Sequence, residues 1–391
     1  MQLTLNRELL LKAINLVAKA ADKRHNMMIL GNLKIEVSDT LLTLTASDLE
    51  VELKVEVKLD KGACGEAGST TVPAGKLQDI CKLLPQNVDI SLATQTGERC
   101  VITSGKSRFV LGTLPASDFP SLGEPAGVTP LSIARTTLTD LMHQTQFAMA
   151  VQDVRYYLTG MLFEVEARKL TTVATDGHRL ALATHAIDVA DDLQMQAILP
   201  RKAVIELERL MGELGKMLGD KDNPLTLSFG REFLQVSLPF GNVDSAGIMD
   251  DSVMVTFMAR LIDGKFPDYR RVMPSGSDKV ALVKREHFLD VLKRVAILSN
   301  EKSRSVIFNF ASDGDVEVRA NNAEQDEAVE HLQVQYQGEP LEVSFNAAYL
   351  QDVLDVLYGD VQLHMSSANS SVLVNQLNDV QHQYVIMPMR I

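Results

Sequence analysis

The chain has 391 residues and a net charge of −13, is 46% hydrophobic and 5% aromatic, and contains no tryptophan. Its length exceeds one ordinary domain and leads to two or three, and no apolar run approaches the length of a membrane span. The acidic balance argues against a surface that grips nucleic acid all over, and the few aromatics argue against an open stacking platform for single strands.

The first segment opens with a short strand at 2–5 and a helix over 7–21, with Leu9, Leu10, Ala13, Ile14, Leu16 and Val17 on its apolar side. Strands follow at 32–37 and 41–57. A second helix starts at Val72-Pro73, with Leu77, Ile80, Cys81 and Leu84 inward, and ends at Pro85. Strands at 89–93 and 99–111 complete the segment, and the extended stretch TLPASDFP closes it. The three cysteines, Cys64, Cys81 and Cys100, lack metal-site or disulfide-framework spacing and read as reduced thiols. The N-terminus has no signal-peptide pattern.

A Pro/Gly-rich link at 123–130 precedes a restart of the same plan. A helix over 135–149 comes first, then strands filling 156–183, then a helix from Pro200-Arg201, then strands at 225–229, 233–238 and 253–261. Within this segment Tyr156 and Tyr157 open an alternating run that reads as a strand. A second strand breaks at Asp176-Gly177, a turn signal that sets His178 and Arg179 on a bend. The residues alone leave that bend open as a binding pocket or a solvated hairpin.

The plan runs a third time, with helices over 285–298 and 346–358 and strands at 306–310, 316–320, 327–334, 361–365, 371–377 and 383–387. First helices recur at Arg7, Arg135 and Arg285, and second helices at Pro73, Pro200 and Asn346. This is a domain-sized period, which implies an α+β protein of three tandem copies, each two helices packed on antiparallel sheet. The expected bounds are 1–126, 127–270 and 271–391.

Charge is segregated. The first helices of the first and third copies are basic, and the six helices together carry about +5, leaving about −18 elsewhere. Lys12, Lys19 and Lys23 share one helical face by their spacing. Basic helices and acidic strands suit a body whose helices face a polyanion.

No catalytic set assembles. SGKSRF lacks the leading glycine of a phosphate loop and sits between strands. Asp176 and His178 have no GxSxG partner, and neither HExxH nor a histidine pair at metal spacing occurs. Asp250-Asp251 lies in a polar, Gly-containing stretch that reads as a loop.

With these features, the strings QDVRYYLTGMLFE (152–164), ATDGHRLA (174–181), FPDYRRV (266–272), AILSNEK (296–302) and the terminal VIMPMRI resemble the bacterial DNA polymerase III β subunits, the sliding clamps. The resemblance runs along essentially the whole chain. It implies a DNA clamp fold and a head-to-tail homodimer forming a six-domain ring around duplex DNA. The implied protein is a processivity subunit that is not an enzyme and needs no cofactor and no metal. Arg24, Gln152, Tyr156 and Tyr157 match DNA-contacting positions, with Lys76, Arg201 and Lys202 as further hole-lining cations. A partner-peptide pocket is implied at Leu158, Thr175, Gly177, His178, Arg179, Leu180, Pro267, Arg271 and Val272. Asn346, Tyr349, Met387, Pro388, Met389, Arg390 and Ile391 complete it. The dimer contact is expected where Phe109 and Leu111 meet Ile297 and Leu298, with Lys106 and Arg108 facing Glu324, Asp326 and Glu327.

The implied partners are duplex DNA, a second copy, the clamp loader, the replicative polymerase and other polymerases or repair factors, in a cytoplasmic, nucleoid-associated setting without a membrane. The chain departs from the family at Met28, where proline is usual, at Gly75, where a basic residue is frequent, and at Asn369, often apolar. An acidic insertion is expected at 241–252. Two other readings of the same residues are a repeat-built, peptide-binding adaptor that does not encircle DNA, and an enzyme, which a bound metal or nucleotide would favour.

Overall fold

The computed structural model describes residues 1–123, 128–219, 224–239 and 252–390. One element order occurs three times. The first copy is β1 (Gln2–Asn6), α1 (Arg7–Val17), β2 (Asn32–Val37), β3 (Leu41–Ser47), β4 (Val51–Lys58), a short accessory β5 (Cys64–Glu66), β6 (Gly68–Pro73), α2 (Ala74–Leu83), β7 (Asp89–Gln95), β8 (Arg99–Ser104) and β9 (Ser107–Gly112). The second is β10 (Thr129–Ala134), α3 (Arg135–His143), β11 (Gly160–Glu166), β12 (Lys169–Thr175), β13 (Arg179–Ala186), β14 (Met195–Pro200), α4 (Arg201–Leu218), β15 (Pro224–Phe229), β16 (Phe233–Pro239) and β17 (Val253–Arg260). The third is β18 (Lys279–Lys284), α5 (Arg285–Val295), β19 (Ser305–Phe310), β20 (Asp315–Asn321), β21 (Glu327–Gln333), accessory β22 (Gln335–Gln337), β23 (Leu341–Asn346), α6 (Ala347–Val356), β24 (Asp360–Met365), β25 (Val372–Gln376) and β26 (His382–Ile386).

Each copy is therefore two strand–helix–three-strand halves, and the halves exchange their first strands. β1, β10 and β18 pair with β7, β15 and β24, while β6, β14 and β23 pair with β2, β11 and β19. All of these pairings are antiparallel, and in the first and third copies the exchange ties the two halves together. The helices bury apolar stripes at helical spacing, such as Leu10, Ala13, Ile14 and Val17 on α1.

An arginine opens the first helix of each copy and lies against the second. Arg7 donates from Nε and Nη2 to the carbonyls of Cys81 and Lys82, both at 2.8 Å, at the end of α2. Arg285 donates to the Leu354 carbonyl of α6 at 2.6 Å. A cation there satisfies orphan carbonyls and complements the helix dipole. Arg135 meets α4 beside Gly215, where a Cβ would lie 2.8 Å from its guanidinium. The buried Nε of Arg135 has no hydrogen-bond partner.

The chain packs as two compact units, Met1–Thr139 with Ile205–Leu261, and Asp140–Val204 with Ile262–Ile391. The central copy is divided between them. In the first unit β17 pairs with β4, fusing two four-stranded sheets into eight strands. In the second, β26 pairs with β13, giving nine strands with β22.

The structure corrects several expectations. Tyr156–Thr159 is a 3₁₀ turn, and the strand begins at Gly160. α1, α3 and α5 end earlier than expected, and their last turns tighten into 3₁₀ geometry. Lys23 thus lies beyond the helix and shares no α-helical face with Lys12. The lead-in strands β6, β10, β14, β18 and β23 escaped the sequence reading. Pro73, Pro130 and Pro200 lie in three of these strands, each at a sheet edge where proline is tolerated, so a turn signal masked the strand. The expected boundary at 270/271 falls inside the 3₁₀ turn Tyr269–Val272. The boundary at 126/127, most of the acidic insertion (241–251) and Ile391 lie outside the described residues.

Candidate functional site

The bend after β12 is built by its own polar atoms. Asp176 Oδ1 accepts from the backbone N–H groups of His178 and Arg179 at 2.9 and 3.0 Å. Thr175 donates its hydroxyl to the Arg179 carbonyl at 2.6 Å. Gly177 takes φ +88°, a conformation that penalises any side chain.

Arg179, held by these contacts, is the hub. It pairs with Asp176 and with Asp352 of α6, and it donates to the Phe147 carbonyl at 2.8 Å. Its guanidinium lies 4.6 Å from the Tyr349 ring centroid and 5.3 Å from that of Phe147. The His178 ring stacks on Tyr349 at 6.2 Å, and the His178 carbonyl accepts from the Met387 N–H at 2.9 Å. Burial raises the Tyr349 phenol above its ordinary range, so it stays neutral.

A cavity of about 550 Å³ opens at this bend, lined by His178, Arg179, Tyr349, Phe147, Met149 and Arg201 among others. Leu158 and Leu180 lie behind it in an apolar cluster with Phe266, Tyr269 and Val385. Met387, Pro388 and Met389 are half-buried, with the Met389 N–H bonded to the Ser344 carbonyl at 2.7 Å. Pro267, Arg271 and Val272 are exposed on the following loop, where Arg271 pairs with Asp268 at 2.9 Å. Asn346 uses its side chain to cap α6, accepting from the Ala348 N–H at 2.9 Å, and Arg390 is exposed. Asn369 is exposed in the turn between β24 and β25.

Phe147, Arg155 and Asp352 were missed by the sequence reading. Asp352 stands three residues after Tyr349, which put both on one helix face and offered a signal. Arg155 offered none. It donates to the Asp176 carbonyl at 3.1 Å and holds the Asp153 carboxyl down to about 2.

The cations fall in two groups. In the first unit Arg24 and Lys76 are exposed, and the Lys23 ammonium lies where a Cβ on Gly75 would stand. Met28 is 81% exposed at the start of a 3₁₀ turn. In the second unit Gln152, with φ +55°, leads to Tyr156, which is exposed, and Tyr157, which packs on the apolar cluster. Arg201 opens α4 beside Lys202. Much of the basic count proves structural. Arg7 and Arg285 bond to helix carbonyls, Arg135 packs beside Gly215 of α4, and Lys19 pairs with Glu213 at 2.9 Å.

Each half ends in a last strand, and two of these six strands stay at a sheet edge among the described residues. β9 ends the five-stranded sheet and β21 the four-stranded one. Phe109, Phe257 and Tyr384 hold one register position, opposite Ile102, Val236 and Val374. Phe257 and Tyr384 are fully buried where their strands join a neighbouring sheet, whereas Phe109 is 36% exposed. Phe147 packs on Tyr384 at 5.9 Å, and its counterpart in the third copy, Ile297, is 76% exposed. Leu298 is half-buried, while Lys106, Arg108, Glu324, Asp326 and Glu327 are exposed. Leu111 is buried in its own sheet, and Val110, not anticipated, is exposed.

Among the described residues no group of three or more acidic, histidine or cysteine side chains could hold a metal ion, and no helix is long and apolar enough to cross a membrane. Burial pushes the Cys81 and Cys100 thiols up to about 12 and about 11, so neither is a ready nucleophile.

Residues 1–123, 132–268 and 270–390 match the N-terminal, central and C-terminal domains of the DNA polymerase III beta subunit. The chain is 42% identical to the beta sliding clamp of Pseudomonas aeruginosa over 396 aligned residues and 42% identical to that of Vibrio cholerae, with each pair of chains covered in full. It is also similar to the crystal structure of a sliding clamp from Pseudomonas aeruginosa bound to griselimycin, with a TM-score of 0.89, 41% identity and full coverage of both chains.

Proposed function

The chain belongs to the DNA polymerase III beta subunit family, and from that membership we propose how its residues make it work as a sliding clamp. It is not a catalyst. As a homodimer it encircles duplex DNA and tethers the replicative polymerase and other DNA-processing proteins.

The observation that carries the assembly is the strand end left over in each unit. Within the chain, β17 joins β4 and β26 joins β13, so a last strand of one sheet type always meets the last strand of the other. Of the six last strands, β9 and β21 lack such a partner among the described residues. Two copies joined head to tail, β9 to β21 twice, satisfy both, and a heterologous contact that closes makes a ring.

The internal junctions also supply the register. Leu53, Ala181 and Ala328 occupy one position, opposite Ala46, Ala174 and Ala320. Phe257 faces Leu53 and Tyr384 faces Ala181, so Phe109 faces Ala328 of the second copy. Ile297 then covers Phe109 as Phe147 covers Tyr384, with Leu298 beside it. Arg108 and Lys106 come against the acidic run Glu324, Asp326 and Glu327.

The helices line the hole, where Arg24, Lys76, Gln152, Tyr156, Tyr157, Arg201 and Lys202 contact the duplex backbone. A ring holds DNA by topology, so these contacts can stay weak and free of sequence readout, and the protein slides. Partner peptides bind at the bend around His178, Arg179 and Tyr349, with Met387 and Met389 as adaptable apolar walls. We keep the domain bounds 1–126, 127–270 and 271–391, and place the protein in the cytoplasm on the nucleoid.

Retention on DNA tests this. The protein is loaded onto nicked circular plasmid with clamp loader and ATP, passed through a sizing column, and re-run after the plasmid is cut. The expected result is retention on the circle and loss on linearisation. Equal retention on both forms refutes encirclement. No retention on either, with a loader active on another clamp, points to a peptide-binding adaptor.

A further inference from the structure

The loop at 262–273 carries Pro267, Arg271 and Val272, yet its only regular element is the 3₁₀ turn Tyr269–Val272. Its first residue, Ile262, donates its N–H to the Ile198 carbonyl of β14 at 2.9 Å, and beyond that point two devices hold it on the sheet. Phe266 and Tyr269 bury against Leu162, Leu180 and Val385. Such apolar contact is non-directional and does not set where along the sheet the loop sits. The second device is directional. Glu164 of β11, its side chain only 5% exposed, accepts from the Tyr269 hydroxyl at 2.6 Å and from Arg270 Nη2 at 2.7 Å. Gln196 of β14 donates to its other oxygen at 2.6 Å.

A buried carboxylate is costly unless its lone pairs are filled, and here two of the three donors come from the loop. Burial pushes the Glu164 carboxyl up, but the bonds from Tyr269, Gln196 and Arg270 outweigh it and leave the group below its ordinary range. Glu164 therefore stays ionised, and each bond to it is charge-assisted. Arg270 also reaches Glu166, which extends the clasp to the strand end.

We propose that Glu164 is a positioning residue for partner binding: through Tyr269 and Arg270 it sets the place of Pro267, Arg271 and Val272, and it governs partner affinity without touching the partner. This rests on the pocket assigned above.

The probe is griselimycin, the compound bound in the Pseudomonas aeruginosa crystal structure. Its affinity is measured by calorimetry for the wild-type dimer and for Glu164→Gln, Tyr269→Phe and His178→Ala, with amide hydrogen exchange followed along each chain. Glu164→Gln keeps size and one acceptor but removes the charge, and it is expected to bind about tenfold more weakly. Tyr269→Phe removes a single hydroxyl and is expected to bind about threefold more weakly. In both, exchange rises in 262–273 alone while sedimentation still reports a dimer. Wild-type affinity in these two variants, with binding lost in His178→Ala, overturns the role of Glu164 and leaves the pocket standing. Faster exchange throughout the chain overturns it as well, by making the effect general destabilisation. No binding by the wild type, or undiminished binding by His178→Ala, overturns the pocket assignment and this inference with it.

Discussion

His382 lies between two carboxylates, with Nδ1 2.7 Å from Asp379 and Nε2 3.3 Å from Asp140, so that it fastens β26 to α3. Its hydrogen bond to Asp140, helped by Asp379 and only partly offset by burial, raises its pKa above the ordinary histidine value. A folded pKa above the unfolded one gives stabilisation that is complete below about pH 6.5 and lost as pH rises through the folded value. The two aspartates are shifted down, Asp140 chiefly by His382 and Asp379 by bonds that outweigh its burial, so their share is lost only as pH falls through their own lowered values. Thermal midpoints between pH 6 and 9 should show the advantage of the wild type over His382→Gln shrinking as pH rises. A constant difference across that range would mean that His382 contributes no pH-linked stability there, and would refute the assignment. Nothing in the sequence pointed to this triad, because Asp140 and His382 are far apart in the chain and meet only when β26 joins the sheet of the central copy.

At the scale of elements, the repeat is the informative unit. Three helix-opening arginines recur in the sequence, and the structure gives the reason: each lies against the second helix of its own copy, with Arg7 and Arg285 bonded to its carbonyls. The aromatic position Phe109, Phe257 and Tyr384 was not visible as such, because the strand lengths and turns around it differ. The register transferred from the internal junctions places Val110 opposite Glu327 of a second copy. Val110→Cys combined with Glu327→Cys, in a Cys64→Ser background, should give a covalent dimer on oxidation, since opposed Cα atoms lie about 4.5–5.5 Å apart. Val110→Cys with His331→Cys is displaced by about 13 Å along the strand and should stay uncrosslinked. Equal crosslinking of both pairs would refute the register.

For the whole molecule, the balance between topology and charge decides behaviour. Several cations of the basic helices are committed to internal contacts, which leaves a modest set for phosphate. Between 50 and 200 mM salt, dwell time on nicked circular DNA should change by no more than about twofold, while affinity for a short linear duplex falls by more than about tenfold. A parallel fall in both would mean that direct phosphate contact, and not encirclement, holds the protein on DNA.

The threefold plan, the α+β class and the bend at Asp176-Gly177 are legible in the residues alone, because helix periodicity, glycine turns and recurring arginines are local signals. The same signals place His178 and Arg179 on that bend. The folded chain adds that Phe147, Tyr349 and Asp352 converge on Arg179, that Glu164 bonds to Tyr269 and Arg270 of the loop at 262–273, and that β9 and β21 are the two last strands at a sheet edge among the described residues. Those facts depend on strand pairing between segments distant in the chain, and pairing energy is set by which faces meet, not by the composition of either strand alone.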